Sequence, residues 1–208
     1  MHRAGGYAHR LRPDGGGWRV GAQDLDAWLR AHDAPGLADR AAVLAYGSNA
    51  CPSKITWLRG ELGLTGPVVV LRCRTVGVAA VWAVRARVRD GQVPAVLAAM
   101  PGRVETHAVW LACPEQLAVL DVCEGRGERY DLVRLEPGTG VEIRTEDGRL
   151  LDRPLAYVTH GAARAPMLHD GRYVPISEVD QAGAQRLLSH GARPGPHDDF
   201  CGLPVSFP

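Results

Sequence analysis

Apolar residues in this chain come in short runs, and glycine, proline or a charged side chain interrupts each one before it grows long. The runs at 41–46, 68–71, 75–78, 95–100, 106–111, 130–135, 141–143 and 155–158 are of strand length, and several alternate apolar with polar residues. With 25 Gly and 15 Pro in 208 residues, turns are plentiful. Helical spacing appears between these runs. Leu25, Trp28 and Leu29 fall at i, i+3 and i+4 behind Asp24, whose carboxylate suits a helix N-terminus. Pro52 sits where a helix would open after Ser48, Asn49 or Cys51. Pro114 opens a second such stretch over 114–122, and 179–190 ends in Arg186, His190 and Gly191, a helix stop. Pro101-Gly102 reads as the turn of a hairpin between 95–100 and 106–111.

Many short strands with a few interspersed helices predict an α+β fold. The expected form is a small, curled, barrel-like sheet, mixed or mostly antiparallel, flanked by helices. Three segments follow: an N-terminal extension over 1–40, poorly ordered through its Gly-rich start and then helical; a main domain over 41–192; and an irregular Pro-rich tail over 193–208.

Charge excludes some partners. The formal net charge is +1, without the basic excess of a nucleic-acid binder. No apolar stretch reaches membrane-spanning length, and the first 20 residues hold no signal-peptide core, so the expected compartment is the cytoplasm. The 5 cysteines form no C-x-x-C pair, and the 8 histidines form no paired-ligand motif, so neither metal nor cofactor is expected. Trp18 and Trp28, if exposed, would mark the contact surface of a homodimer. Lys54 is the sole lysine, which reads as codon bias.

Two segments carry chemistry. Tyr46-Gly47-Ser48-Asn49 lies between a strand and a helix. Gly47 leaves room for a ligand, and amides entering a helix suit a carboxylate or a developing oxyanion. The second segment is Leu120-Asp121-Val122-Cys123-Glu124-Gly125, with Tyr130 beyond it. Glu124 ends a helix, where an anion is disfavoured; burial would add to that, and such a carboxyl group suits proton shuttling. The plainer readings are a Ser/Asn-capped joint and an exposed glutamate beside a glycine cap.

Taken together these motifs resemble the γ-glutamylcyclotransferase family, over roughly residues 41–190. The Tyr46–Asn49 loop, the 94–111 stretch with its Val109-Trp110 return, Glu124-Gly125, Tyr130, Ala156-Tyr157-Val158 and Gly171-Arg172-Tyr173 follow in the family's order. Residues 1–40 and the tail have no counterpart in the minimal family, and Cys123 replaces a residue more often aromatic or polar. Asn49 sets the chain apart from the glutathione-specific branch, which tends to carry Tyr-Gly-Ser-Leu. The resemblance implies a small-molecule γ-glutamyl substrate, release of its amine, and closure of the glutamyl arm to 5-oxoproline. Glu124 would be general base and then acid. Tyr46, Gly47, Ser48 and Asn49 would bind the glutamyl moiety, with Tyr130 and Tyr173 contributing hydroxyls. Two other readings stand beside it. Cys51 near a helix N-terminus, with His107 or His160, would make a thiol amidase or acyltransferase. A non-catalytic small-molecule-binding domain would keep the same fold and pocket.

Overall fold

The computed structural model describes residues 11–15, 17–136, 140–159 and 164–196, together with the backbone of Cys201–Pro204. Strands β1 (Leu11–Asp14), β2 (Gly17–Val20) and β3 (Gln23–Asp24) form a small antiparallel sheet that runs into helix α1 (Leu25–Arg30). Asp24 caps that helix, its Oδ1 accepting from Ala27 N at 2.9 Å, as a short polar side chain at an N-terminus should. Leu25 and Leu29, one turn apart, are buried with Trp18 and Val20 against Val69 and Leu71 of the main sheet. Trp18 is therefore core, and Trp28 is half-buried with its ring stacked on His32; neither is the open aromatic surface expected of them. The disorder expected over 1–17 concerns mostly residues outside those described.

The main body follows as β4 (Ala41–Ala45), a 3-10 turn (Ser48–Ala50), α2 (Pro52–Glu61), β5 (Val69–Trp82), β6 (Ala95–Ala112), α3 (Pro114–Glu124), β7 (Tyr130–Leu135), β8 (Glu142–Thr145) and β9 (Leu155–Thr159). Then come β10 (Met167–His169), β11 (Arg172–Tyr173), α4 (Gln181–Ser189), β12 (Arg193–Pro194) and β13 (Cys201–Pro204). A seven-stranded sheet has the order β13-β7-β9-β4-β6-β5-β8. Its pairs are antiparallel except β4 with β9, which run parallel. The fold is α+β, a mixed sheet with helices on its flanks.

Side-chain alternation explains the layers. Val43 and Ala45 face one way, into a core shared with Leu58 of α2 and Leu117 and Leu120 of α3. Leu44 and Tyr46 face the other way, among Val78, Ala80, Val109, Val133 and Ala156. No described helix contributes to that second cluster, yet its members are fully buried, so the sheet curls around its own side chains.

One expectation fails. Residues 95–112 are one continuous strand, and Pro101-Gly102 is not a hairpin turn. The partner is β5: Val76 pairs with Val104 and Val78 with Ala99, so 100–103 bulge opposite Gly77. Gly77 has φ +84, and a Cβ there would collide with the carbonyl of Gly140. A bulge bends a strand and frees an amide position that proline can occupy. The tail is also less irregular than its composition suggests: Arg193–Pro194 pairs with β10, and Cys201–Pro204 pairs with β7 at the sheet edge.

No described helix is long and apolar enough to cross a membrane.

Candidate active site

Glu124 is the last residue of α3. Gly125 stops the helix in the left-handed region, with φ +66, returning its N–H toward the carbonyls of Asp121 and Val122. This is the glycine cap that a helix of this sequence needs. The missing side chain matters twice, since a Cβ on Gly125 would overlap the Arg129 guanidinium. That guanidinium donates to the carbonyls of Glu124 and Cys123, both at 3.0 Å, and so fastens the helix end.

The last turn of α3 is tied to the sheet by Asp121. Its Oδ1 accepts from the Tyr157 hydroxyl at 2.7 Å, and its Oδ2 accepts from Arg126 at 2.9 Å. The Tyr157 hydroxyl is raised well above the usual phenol range by burial and by the Asp121 carboxylate, so it stays a donor. The Tyr46 hydroxyl donates to the Tyr157 carbonyl at 2.6 Å. Strands β4 and β9 and helix α3 are therefore joined through two tyrosines.

The 46–49 loop leaves β4 beside this junction. Gly47 and Ser48 are exposed, and Asn49 is half-buried. Helix α2 starts at Pro52 rather than at the loop, and the 3-10 turn intervenes. The first amides of such a turn have no carbonyl of their own turn to bond. Gly47 adopts φ −121 and ψ −143, outside the left-handed region, so conformation alone does not require a glycine. A Cβ there would reach Ala95 Cβ at 3.9 Å, on the wall of the cavity that both residues line.

Asn49 meets Glu124. Its Nδ2 donates to Glu124 Oε1 at 2.9 Å. The Trp110 indole donates to the Asn49 carbonyl at 2.9 Å, holding the loop from the core side. Asn49 Oδ1 is buried and has no hydrogen-bond partner among the described residues.

Around this contact lies an open cavity of about 570 Å³, ample for a glutamyl amide. Of the residues singled out in the sequence, Tyr46, Gly47, Ser48, Asn49, Glu124 and Tyr130 line it together. Tyr130 is buried, and its hydroxyl accepts from Arg164 at 2.9 Å, while the Arg164 guanidinium lies 5.0 Å from its ring centroid. Burial raises the Tyr130 hydroxyl against the pull of that guanidinium. Glu124 is half-buried rather than enclosed.

Tyr173 is not among the described lining residues. It sits in the two-residue strand β11 and, like Met100, packs against the cluster that contains Ala79 and Val81. The family order placed it in the site, but pairing of β11 with β10 carries it to another face. The thiol reading separates in the same way. Cys51 is exposed and absent from the lining, with Sγ 3.0 Å from Ser53 Oγ, a contact that lowers the thiol. His107 is buried on β6 with Nε2 3.0 Å from Glu105 Oε2. His160 lies outside the described residues.

The sequence reading missed several lining or supporting groups: Tyr157, Trp110, Arg164, Arg129 and Lys54. Lys54 faces the cavity from α2, its ammonium 4.1 Å from the centroid of the Trp57 ring. Its signal was visible, since an otherwise arginine-only chain keeps this one lysine, and the two cations are not interchangeable.

Comparison with known proteins gives likeness of fold only. No protein-family model matches the chain, and no curated protein matches it in sequence. Among solved structures, a γ-glutamyl cyclotransferase is 18% identical with a TM-score of 0.47; the match covers 61% of this chain and 70% of that one. An uncharacterised protein from Homo sapiens is 16% identical with a TM-score of 0.48, over 77% of this chain and 92% of that one. A protein from Arabidopsis thaliana is 20% identical with a TM-score of 0.42, over 60% and 72%.

Proposed function

We propose that the chain releases an amine from γ-glutamyl amides by closing the glutamyl arm to 5-oxoproline. The observation that carries this is the Asn49–Glu124 hydrogen bond at 2.9 Å, which joins the 46–49 loop to the acid across one cavity. A joint and a capped helix with unrelated duties would have no need to meet.

The substrate brings its own nucleophile. Its α-amino group is protonated in neutral water, so a proton must leave before attack. Glu124 takes it. The free amine adds to the γ-carbonyl carbon, forming the ring C–N bond, and the carbonyl oxygen gains the electron pair. In this reading the amides of Gly47 and Ser48, which line the cavity, donate to that charge; one such donor is worth about 3–4 kcal/mol. The pair then returns and the exocyclic C–N bond breaks as Glu124 gives its proton to the departing nitrogen; the regenerated carboxylate takes the second proton from the cationic ring nitrogen, and that proton leaves on the released amine as its ammonium. Atoms and charge balance with no other reactant. The Asn49 amide orients the acid, Nδ2 donating to Glu124 Oε1. Holding amine over carbonyl supplies the intramolecular advantage, up to about 7–11 kcal/mol in well-oriented systems.

The test is to incubate the protein with γ-glutamyl amides and measure 5-oxoproline. Glu124→Gln keeps the shape and the acceptor for Asn49 but cannot shuttle a proton, and turnover should fall by about 10²–10⁴-fold. A Glu124→Gln protein with full turnover removes Glu124 from the reaction. Absence of 5-oxoproline with every amide removes the reading.

A further inference from the structure

The cavity is strongly cationic in a chain that is almost neutral. Its described lining carries Lys54, Arg87, Arg89, Arg129 and Arg164 against a single carboxylate, Glu124. Arg87 and Arg89 share Asp90, with nitrogen–oxygen distances of 3.0 and 3.4 Å. The other three have no carboxylate partner among the described residues. Lys54 rests on the Trp57 ring, Arg129 donates to helix carbonyls, and Arg164 donates to the Tyr130 hydroxyl. No described carboxylate neutralises these three groups, although the carbonyls at the α3 C-terminus offset part of the Arg129 charge.

We infer that the amine expelled from this site carries two negative charges, as a dicarboxylic amino acid does. The inference rests on the cyclisation reading, because it divides the substrate into a glutamyl arm and a leaving part. The glutamyl arm arrives with one carboxylate and one ammonium and is neutral overall. Five lining cations stand against Glu124 and the one Asp90 that Arg87 and Arg89 share, leaving a surplus of three positive charges. A dianionic leaving part offsets most of that surplus, a neutral amine leaves it standing, and a cationic amine adds to it. Arg164 is best placed to read the leaving part. It is half-buried and held by Tyr130, and a guanidinium grips a carboxylate through two parallel hydrogen bonds. Like charges brought together in a partly enclosed site discriminate strongly against the wrong partner.

Three probes decide it: γ-glutamylglutamate, γ-glutamylethylamide and the γ-glutamyl amide of 1,4-diaminobutane. Their leaving parts are dianionic, neutral and cationic. The expected order of kcat/KM for 5-oxoproline release follows that order, with at least about tenfold between the first two. The ratio should shrink by about tenfold in Arg164→Gln, and also on raising salt from 0.05 to 1 M, which shortens screening to about 3 Å. Binding of the same probes to Glu124→Gln protein, by calorimetry, reads charge preference without turnover. Equal or reversed kcat/KM overturns the inference and leaves the cyclisation standing. If none of the probes yields 5-oxoproline but the dianionic one binds tightest, the cyclisation falls and the site's preference for anions holds. If calorimetry shows no preference for the dianionic probe, the inference is overturned whatever the turnover.

Discussion

Replacing Asn49 by alanine separates the role of this side chain in the site from its role in the fold. The main chain keeps its anchor, because the Trp110 indole donates to the Asn49 carbonyl and not to the side chain. Two side-chain terms change, and they oppose each other. The Nδ2 donation to Glu124 at 2.9 Å is lost; a hydrogen bond to a charged partner contributes about 1.5–3 kcal/mol. The buried Oδ1 without a partner is lost as well, and leaving such an acceptor unsatisfied costs about 1–3 kcal/mol. The net change in stability should therefore stay within about 1 kcal/mol of zero.

Activity has no such cancellation. Glu124 loses the group that orients its carboxylate. A loss of about 1.5–3 kcal/mol from the transition state lowers kcat/KM by roughly ten- to a hundredfold. Urea unfolding gives the first quantity and 5-oxoproline release the second. A variant that unfolds with a loss above about 3 kcal/mol would show that Asn49 is a structural strut. A variant with unchanged kcat/KM would show that the contact with Glu124 orients nothing that reacts.

Two further outcomes follow from the titratable groups. Ser53 lowers the exposed Cys51 thiol, whereas burial pushes the Cys73 thiol up to about 12. Iodoacetamide at neutral pH should therefore label Cys51 well before Cys73, and peptide mapping of protein labelled only at Cys51 should coincide with retained turnover; loss of turnover would restore the thiol mechanism. His107 is lowered from 6.5, chiefly by burial and against the opposing pull of Glu105. The unfolded chain thus takes up a proton there before the folded one does, so stability falls as pH drops below about 6.5. The melting temperature of His107→Gln should lose part of this slope between pH 6.5 and 5, and an unchanged slope would refute the assignment.

How much of this was legible in the sequence depended on how far apart the partners lie. The Asp24 cap, the Pro114 start and the Gly125 stop involve residues within one turn, and each appears where the pattern put it. The Pro101-Gly102 turn failed because its outcome depends on a distant strand. Gly77, opposite, accepts a bulge, so the chain bends where local rules call for reversal. The strand at Cys201–Pro204 was hidden for a related reason, since proline lowers strand expectation but is tolerated at a sheet edge.

The site divides along the same line. Its two motif segments lie 75 residues apart, yet Asn49 and Glu124 touch, because α3 returns over the face of the sheet from which the 46–49 loop emerges. Local chemistry could name those residues. It could not supply Tyr157, which looks like any strand aromatic until its hydroxyl is found on Asp121. Nor could it supply Arg164, one arginine among many until Tyr130 and the cavity give it a direction. Tyr173 is the converse case: its place in the sequence order suited the site, but strand pairing sends it to another face. Residues that come to share the cavity are thus legible from short motifs, whereas the groups that hold them in place depend on sheet register. Two chains with the same motifs can therefore differ in what they accept. Under the proposed reading, the difference in this chain lies in Lys54, Arg129 and Arg164, which no described carboxylate neutralises.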